Sequence, residues 1–213
     1  MLETFKLPKN AARLIVLQRI EIAGFFLKKI RKLFGRYLFS NLITKFFLNS
    51  NNVGKQYYER MTSEFKTLNQ YIDNNDNTYL SIGCGMGGLE SIINQNFKNK
   101  KYYFIEKNYI SKKIKYGWTG MLSSEAYNDL YILKNFLKMN NMIEEQITII
   151  DYDNDILPTI KFDVITSLFS LDYHYDFALY IEYFKKIIND KTKIIFDTIR
   201  PEYFQNIFEN VEV

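Results

Sequence analysis

The stretch Tyr79-Leu-Ser-Ile-Gly-Cys-Gly-Met-Gly-Gly88, with a second apolar run that ends in an acid at Glu106, decides the fold. An apolar run that breaks at once into glycines reads as a strand, a sharp turn and a helix start. The later run reads as a second strand with a carboxylate at its tip. Glycine is required at Gly83, Gly85 and Gly87 because the chain turns back sharply and its backbone lies against a ligand, where a Cβ would collide. Cys84, between two of these glycines, is small enough to fit the same turn and is read as a contact there rather than as a nucleophile. Glu106 follows Gly83 by 23 residues, the spacing at which a carboxylate reaches a ribose diol.

Working outward, strands are expected at 78–82, 102–106, 146–150, 162–167 and 192–196. Helical stretches are expected at 57–72, 88–96, 124–139 and 177–188. Short apolar strands alternating with helices predict an α/β fold, a largely parallel Rossmann-like sheet with helices on both faces. Such sheets bind ligands at the carboxyl ends of their strands, beside the topological switch. Two domains are expected: a basic helical arm over 1–50 and a ligand-binding domain over 51–213, with the Asn-rich segment 49–54 as the boundary.

Charge divides the same way. Residues 1–50 carry ten Lys or Arg against Glu3 and Glu21, while the remainder is net acidic, within a total of +4. A broad basic face for nucleic acid is therefore not expected on the main domain. Residues 11–48 are apolar and basic, with 27, 30, 34 and 38 on a helical period. No uncharged run is long enough to span a bilayer. The arm reads either as a helical cap on the core or as a peripheral contact with an anionic membrane surface. The single cysteine excludes an internal disulfide and fits a reducing, cytoplasmic setting.

The first glycine run, Ile82-Gly83-Cys84-Gly85-Met86-Gly87 after an apolar strand, resembles the first motif of the class I S-adenosylmethionine-dependent methyltransferases. A narrower resemblance lies in Phe104-Ile-Glu-Lys-Asn108, Tyr116-Gly-Trp118, Glu125-Ala-Tyr-Asn-Asp-Leu130 and Ser167-Leu-Phe-Ser170 with His174-Tyr175. Over residues 57–208 these blocks are similar to sugar O-methyltransferases found among bacterial surface-polysaccharide genes. The resemblance implies S-adenosyl-L-methionine as cofactor and a sugar or glycan hydroxyl as methyl acceptor. It implies further that Gly83, Gly85 and Gly87 hold the cofactor's amino-acid end, that Glu106 takes the ribose, and that His174 lies at the acceptor hydroxyl. In that family the sheet ordinarily has seven strands, so this chain's sheet is expected to be abbreviated or to lack its final hairpin.

An alcohol acceptor needs its proton removed. The segment leaving the fourth strand carries His174, the only histidine of the chain, and Asp172 as its competitor for the base. Tyr173 and Tyr175 read as wall or packing residues, and Ser167 as a contact at the cofactor. Asp151 and Asp153, after the third strand, are placed to accept from an adenine amino group, or else form a solvated turn. Tyr127 and Asn128 open a helix and face the acceptor or the core. Arg200 clamps an anionic group or pairs with Asp197. No metal site is expected, although Asp151, Asp153 and Asp172 have the chemistry to hold magnesium.

Two alternatives stay open. Gly83, Gly85 and Gly88 also satisfy the G-x-G-x-x-G spacing of dinucleotide sites, which would make the chain an NAD-dependent oxidoreductase. A non-catalytic scaffold, docking through the basic arm on a membrane or another protein, is the other.

Overall fold

The computed structural model describes residues 3–39, 42, 44–111, 126–172 and 175–213. Five strands, β1 (Thr78–Ile82), β2 (Lys101–Glu106), β3 (Ile147–Asp151), β4 (Val164–Ser167) and β5 (Lys193–Phe196), form one sheet in the order β3-β2-β1-β4-β5. Every pairing is parallel. The strand order reverses between β1 and β4, so the crevice for a ligand lies over Gly83 and Leu168. The expected strands all form, within two residues of their expected limits.

Strand alternation sorts the core. Tyr79, Tyr102, Phe104 and Val164 face one cluster, while Leu80, Ile82, Ile105 and Ile165 face another, as period-two side chains must. The first cluster is covered by α1 (Lys9–Gln18), α4 (Ser50–Leu68), α5 (Gly88–Asn96) and α6 (Leu130–Met139). The second is closed by Phe177, the helix α7 (Ile181–Ile187) and Phe204 of α8 (Pro201–Gln205). The two remaining helices, α2 (Gly24–Leu38) and the single turn α3 (Thr44–Phe46), precede α4.

The amino-terminal segment enters the same apolar cluster as the sheet. Phe5, Leu14, Ile15 and Leu48 are buried with Tyr57, Tyr79 and Phe104. The expected boundary at 49–54 is instead a helix start. Asn49 caps α4 by accepting from Asn52 N at 3.1 Å, the role that makes Asn favourable just before a helix. Gly54 lies one turn further in, where a Cβ would come within 2.3 Å of the Phe5 carbonyl. Asn and Gly thus mark a cap and a close crossing of two segments rather than a linker.

The helix expected over 124–139 begins at Leu130 among the described residues, capped by Asp129 accepting from Ile132 N. Tyr127 and Asn128 therefore precede it, in extended chain. After β5 the described residues add α8 and an irregular tail whose Phe208 and Val211 pack on the second cluster, and no sixth strand forms there.

Candidate functional site

A cavity of about 360 Å³ opens over the switch between β1 and β4. Its floor is the turn Gly83-Cys84-Gly85, and Glu106 stands at its β2 side. Gly83 and Gly85 have φ of +70° and +59°, left-handed values that a residue with a Cβ adopts only at a cost of about 1–2 kcal/mol. The space a Cβ would need is also occupied. It would come within 2.0 Å of Ser170 Oγ at Gly83 and within 2.7 Å of Gln18 Oε1 at Gly85. The backbone's close approach is therefore to two protein side chains, a difference from the expectation that these glycines serve a ligand alone.

Glu106 is held rigidly. Its Oε2 accepts from Gly85 N and its Oε1 from Lys107 N, each at 2.9 Å, and the carboxylate keeps further acceptor capacity. Burial pushes its carboxyl up, and the Lys107 and Gly85 N–H groups with the Asn128 side chain pull it back. Asn128 ties the far wall to the floor by donating from Nδ2 to the Gly85 carbonyl at 2.5 Å. Cys84 also lines the cavity. Burial raises its thiol well above the ordinary range, which disfavours a nucleophilic thiolate.

The other expected site residues lie elsewhere. Gly87 caps α5 with its Cβ position 2.7 Å from Leu137 Cδ2, so its neighbour is the core. Ser167 donates to the Ile82 carbonyl at 2.9 Å and accepts from Leu171 N at 3.0 Å, pinning the ends of β1 and β4 together. Asp151 accepts from Asp153 N and from Asn154 Nδ2, and Asp153 pairs with Lys107 at 3.1 Å. This is the solvated Asp/Asn turn, and Tyr152 rather than either aspartate lines the cavity.

Asp172 is corrected most sharply. Its carboxylate is buried, accepts from Thr198 Oγ1 at 2.5 Å and from Arg200 Nε at 2.6 Å, and forms an ion pair with the Arg200 guanidinium. Arg200 also meets Asp176 at 2.8 Å, so its anionic partners are Asp172 and Asp176 rather than Asp197. Both its oxygens thus tie the segment after β4 to the segment after β5. His174 and Tyr173 lie outside the described residues, as do 116–118 and Glu125. Among the described residues no group of acids, cysteines and histidines could hold a metal ion.

Sequence reasoning missed the wall opposite. Gln18 at the end of α1 donates from Nε2 to the Tyr127 carbonyl at 2.8 Å and so bridges the cavity. Arg19 lies over the Phe169 ring at 5.0 Å and is held by both oxygens of Glu64, at 2.6 and 3.1 Å. Glu90, in the first turn of α5, also lines the cavity. Its Oε1 accepts from Ser81 Oγ at 2.6 Å, and its Oε2 has no hydrogen-bond partner among the described residues. Burial raises its pKa to about 7, against the lowering effect of the Ser81 bond. The only sequence signal was Ser81 standing in an apolar strand, nine residues from Glu90.

A family model for a methyltransferase domain matches residues 53–210, from α4 to beyond α8. The chain belongs to that methyltransferase family. Its fold is the Rossmann-like class I methyltransferase fold, five parallel strands flanked by helices. Among solved structures the methyltransferase chain is similar to coclaurine N-methyltransferase bound to N-methylheliamine and SAH. The identity is 13% and the TM-score 0.45, over 70% of this chain and 37% of that one. Mitomycin 7-O-methyltransferase is similar at 12% identity and TM-score 0.45, over 68% and 37%. Plantazolicin methyltransferase in complex with SAH is similar at 11% identity and TM-score 0.45, over 96% and 63%. The chain thus spans less than two fifths of the length of the first two. No curated protein sequence matches it.

Proposed function

We propose that this chain transfers a methyl group from S-adenosylmethionine to an oxygen, the hydroxyl of a sugar in a surface glycan or its precursor. The observation that carries the reading is Glu106, a carboxylate aimed by two backbone N–H groups at the tip of β2 beside the left-handed glycine turn. Its residual acceptor sites suit the two hydroxyls of a ribose. The residues present therefore fit an adenosyl ligand, with Glu106 and Asn128 on its nucleoside side and Gly83 to Gly85 beneath it. S-adenosylmethionine, when bound, supplies an activated methyl on a sulfonium, so the protein's main task is to align donor and acceptor.

Support for a sugar comes from the resemblance of the sequence blocks and from the character of the walls. Tyr57, Tyr127, Tyr152, Tyr175 and Phe169 ring the cavity, and aromatic faces with polar tips suit the apolar and hydroxyl faces of a pyranose. With Asp172 engaged by Arg200, His174 remains the proposed base for the acceptor proton.

Isothermal titration with S-adenosylhomocysteine and with NAD tests the cofactor, and transfer of labelled methyl to a panel of nucleotide sugars and oligosaccharides tests the acceptor. Micromolar binding of the adenosyl ligand with alkali-stable label on a sugar is expected. Tight NAD binding without adenosyl binding would make the chain an oxidoreductase instead. Adenosyl binding with no transfer to any glycan, lipid or protein pool would make it a scaffold.

A further inference from the structure

Of the acids on the cavity wall, Glu90 is the one that pairs with no cation of its own among the described residues. Glu106 has its two backbone N–H groups. Arg19, the cation whose charge acts on Glu90 through space, is already bonded to both oxygens of Glu64, with Glu21 at 3.6 Å. Lys107 is paired with Asp153. Glu90 has Ser81 on one oxygen and none on the other, at 3% exposure. A buried carboxylate oxygen with no donor is rare and is strongly unfavourable unless a ligand completes it. The position is also constrained, because Ser81 holds the carboxylate, and Leu89, Met61 and Thr166 line the same cavity.

We propose that Glu90, oriented by Ser81, is the receptor for a cationic nitrogen, namely the ammonium at the amino-acid end of the cofactor. This rests on the adenosyl reading above. A ligand whose ribose meets Glu106 at β2 runs across the β1 turn toward α5, and Glu90 stands where its other end arrives. An ammonium donates up to three hydrogen bonds, and Glu90 Oε2 is a buried acceptor without a donor.

The test uses S-adenosylhomocysteine, which has the amino-acid end, and 5′-methylthioadenosine, which lacks it. Glu90→Gln is expected to weaken S-adenosylhomocysteine about 10- to 100-fold, the loss of a charge-assisted hydrogen bond. Its affinity for 5′-methylthioadenosine should stay within about twofold, which also shows that the variant is folded. Equal weakening of both ligands, or of neither, overturns the assignment. Wild-type protein that binds neither ligand brings down the adenosyl reading and this inference with it. Wild-type protein that binds both equally tightly overturns the inference alone. If the glutamine variant does not fold, Ser81→Ala carries the same comparison: about fivefold weaker S-adenosylhomocysteine alone supports it, and no difference between the two ligands overturns it.

A second, independent observation concerns α2. Its Leu27 and Ile30 pack on the core, as the helical period predicts. Its outward face carries Phe25 and Leu33, 74% and 78% exposed, alternating with the exposed Lys29 and Lys32. Lys29 Nζ lies 4.5 Å from the Phe25 ring centre. Exposed Lys45, Phe46 and Phe47 continue the same composition just beyond. No described helix is long and apolar enough to cross a membrane, and large apolar side chains interleaved with cations match an anionic lipid interface by both charge and polarity.

We infer that this face rests on an anionic bilayer. Full-length protein should sediment with vesicles of phosphatidylglycerol and phosphatidylcholine, and about tenfold less with phosphatidylcholine alone. Phe46→Ser with Phe47→Ser, and separately Lys29→Glu with Lys32→Glu, should each reduce binding by about tenfold or more. No binding by the wild type, equal binding to neutral vesicles, or full binding by both variants overturns the inference. So does a concentration-dependent dimer abolished by the Phe46/Phe47 change, which would make the face a contact between two copies of the chain.

Discussion

The exit of β4 and the start of α5 each bury a carboxylate, and the protein treats the two in opposite ways. Asp172 and Glu90 are 2% and 3% exposed. Asp172 is matched by Arg200 and Thr198, with Asp176 sharing the guanidinium. Glu90 has a single hydroxyl on one oxygen and none on the other. Burial alone therefore does not define a role. A compensated acid holds a loop in place, whereas an uncompensated one raises the energy of the ligand-free protein and leaves that energy to be recovered on binding.

Removing the compensation should have the largest effect. Arg200→Met keeps the aliphatic stem over Tyr203, where the guanidinium now lies 4.2 Å from the ring centre, but strands Asp172 without its cation. A stability loss of about 3–5 kcal/mol in urea denaturation is expected. A loss under about 1 kcal/mol would show that the pair behaves like a surface ion pair, and the contrast with Glu90 would collapse.

Glu90 should behave in the reverse sense, with a pH signature. Its pKa rises from an ordinary 4.5 to about 7 in the folded chain, so the folded state binds the proton more tightly than the unfolded one. Stability contributed by this group is present at low pH and is lost as pH rises from about 4.5 to about 7, levelling off above. Burial sets the pKa first; the Ser81 hydrogen bond on β1 and the charge of Arg19 lower it, Glu64 raises it, and Tyr57, Tyr79, Tyr102 and Cys84 face the group. Glu90→Gln should leave stability near wild type at pH 5 and raise it by up to about 3 kcal/mol at pH 8. The difference between the two proteins' denaturation curves at those pH values measures it. A difference that does not change with pH would mean that Glu90 is not the titrating group.

The smallest effect sharpens the comparison at its hinge. Ser81→Ala removes the one side-chain hydrogen bond that Glu90 receives among the described residues and should lower stability by about 1 kcal/mol at pH 8. In the Glu90→Gln background the same change should have a smaller effect. A double-mutant cycle reads the coupling, and a coupling near zero would show that Ser81 does not orient the carboxylate.

The sequence by itself determined the five strands, their parallel order of ligand-bearing ends, the glycine turn and the place of Glu106. Those features are local: a period of two in apolar residues, left-handed glycines at +70° and +59°, and an acid at the next strand's tip. Asp172, Ser167, Asp151 and Asp153 each sit in the expected segment, and only the partner, which the local sequence does not give, decides what each one holds. Arg200 lies 28 residues from Asp172, and the Gln18 that closes over the glycine turn is bonded to a carbonyl 109 residues away. Nothing in the local sequence sets Glu90 apart from an acid on the solvated face of an amphipathic helix. Only the tertiary structure decided which carboxylates are balanced, because electrostatic compensation depends on distances of a few ångströms between segments that the chain keeps far apart.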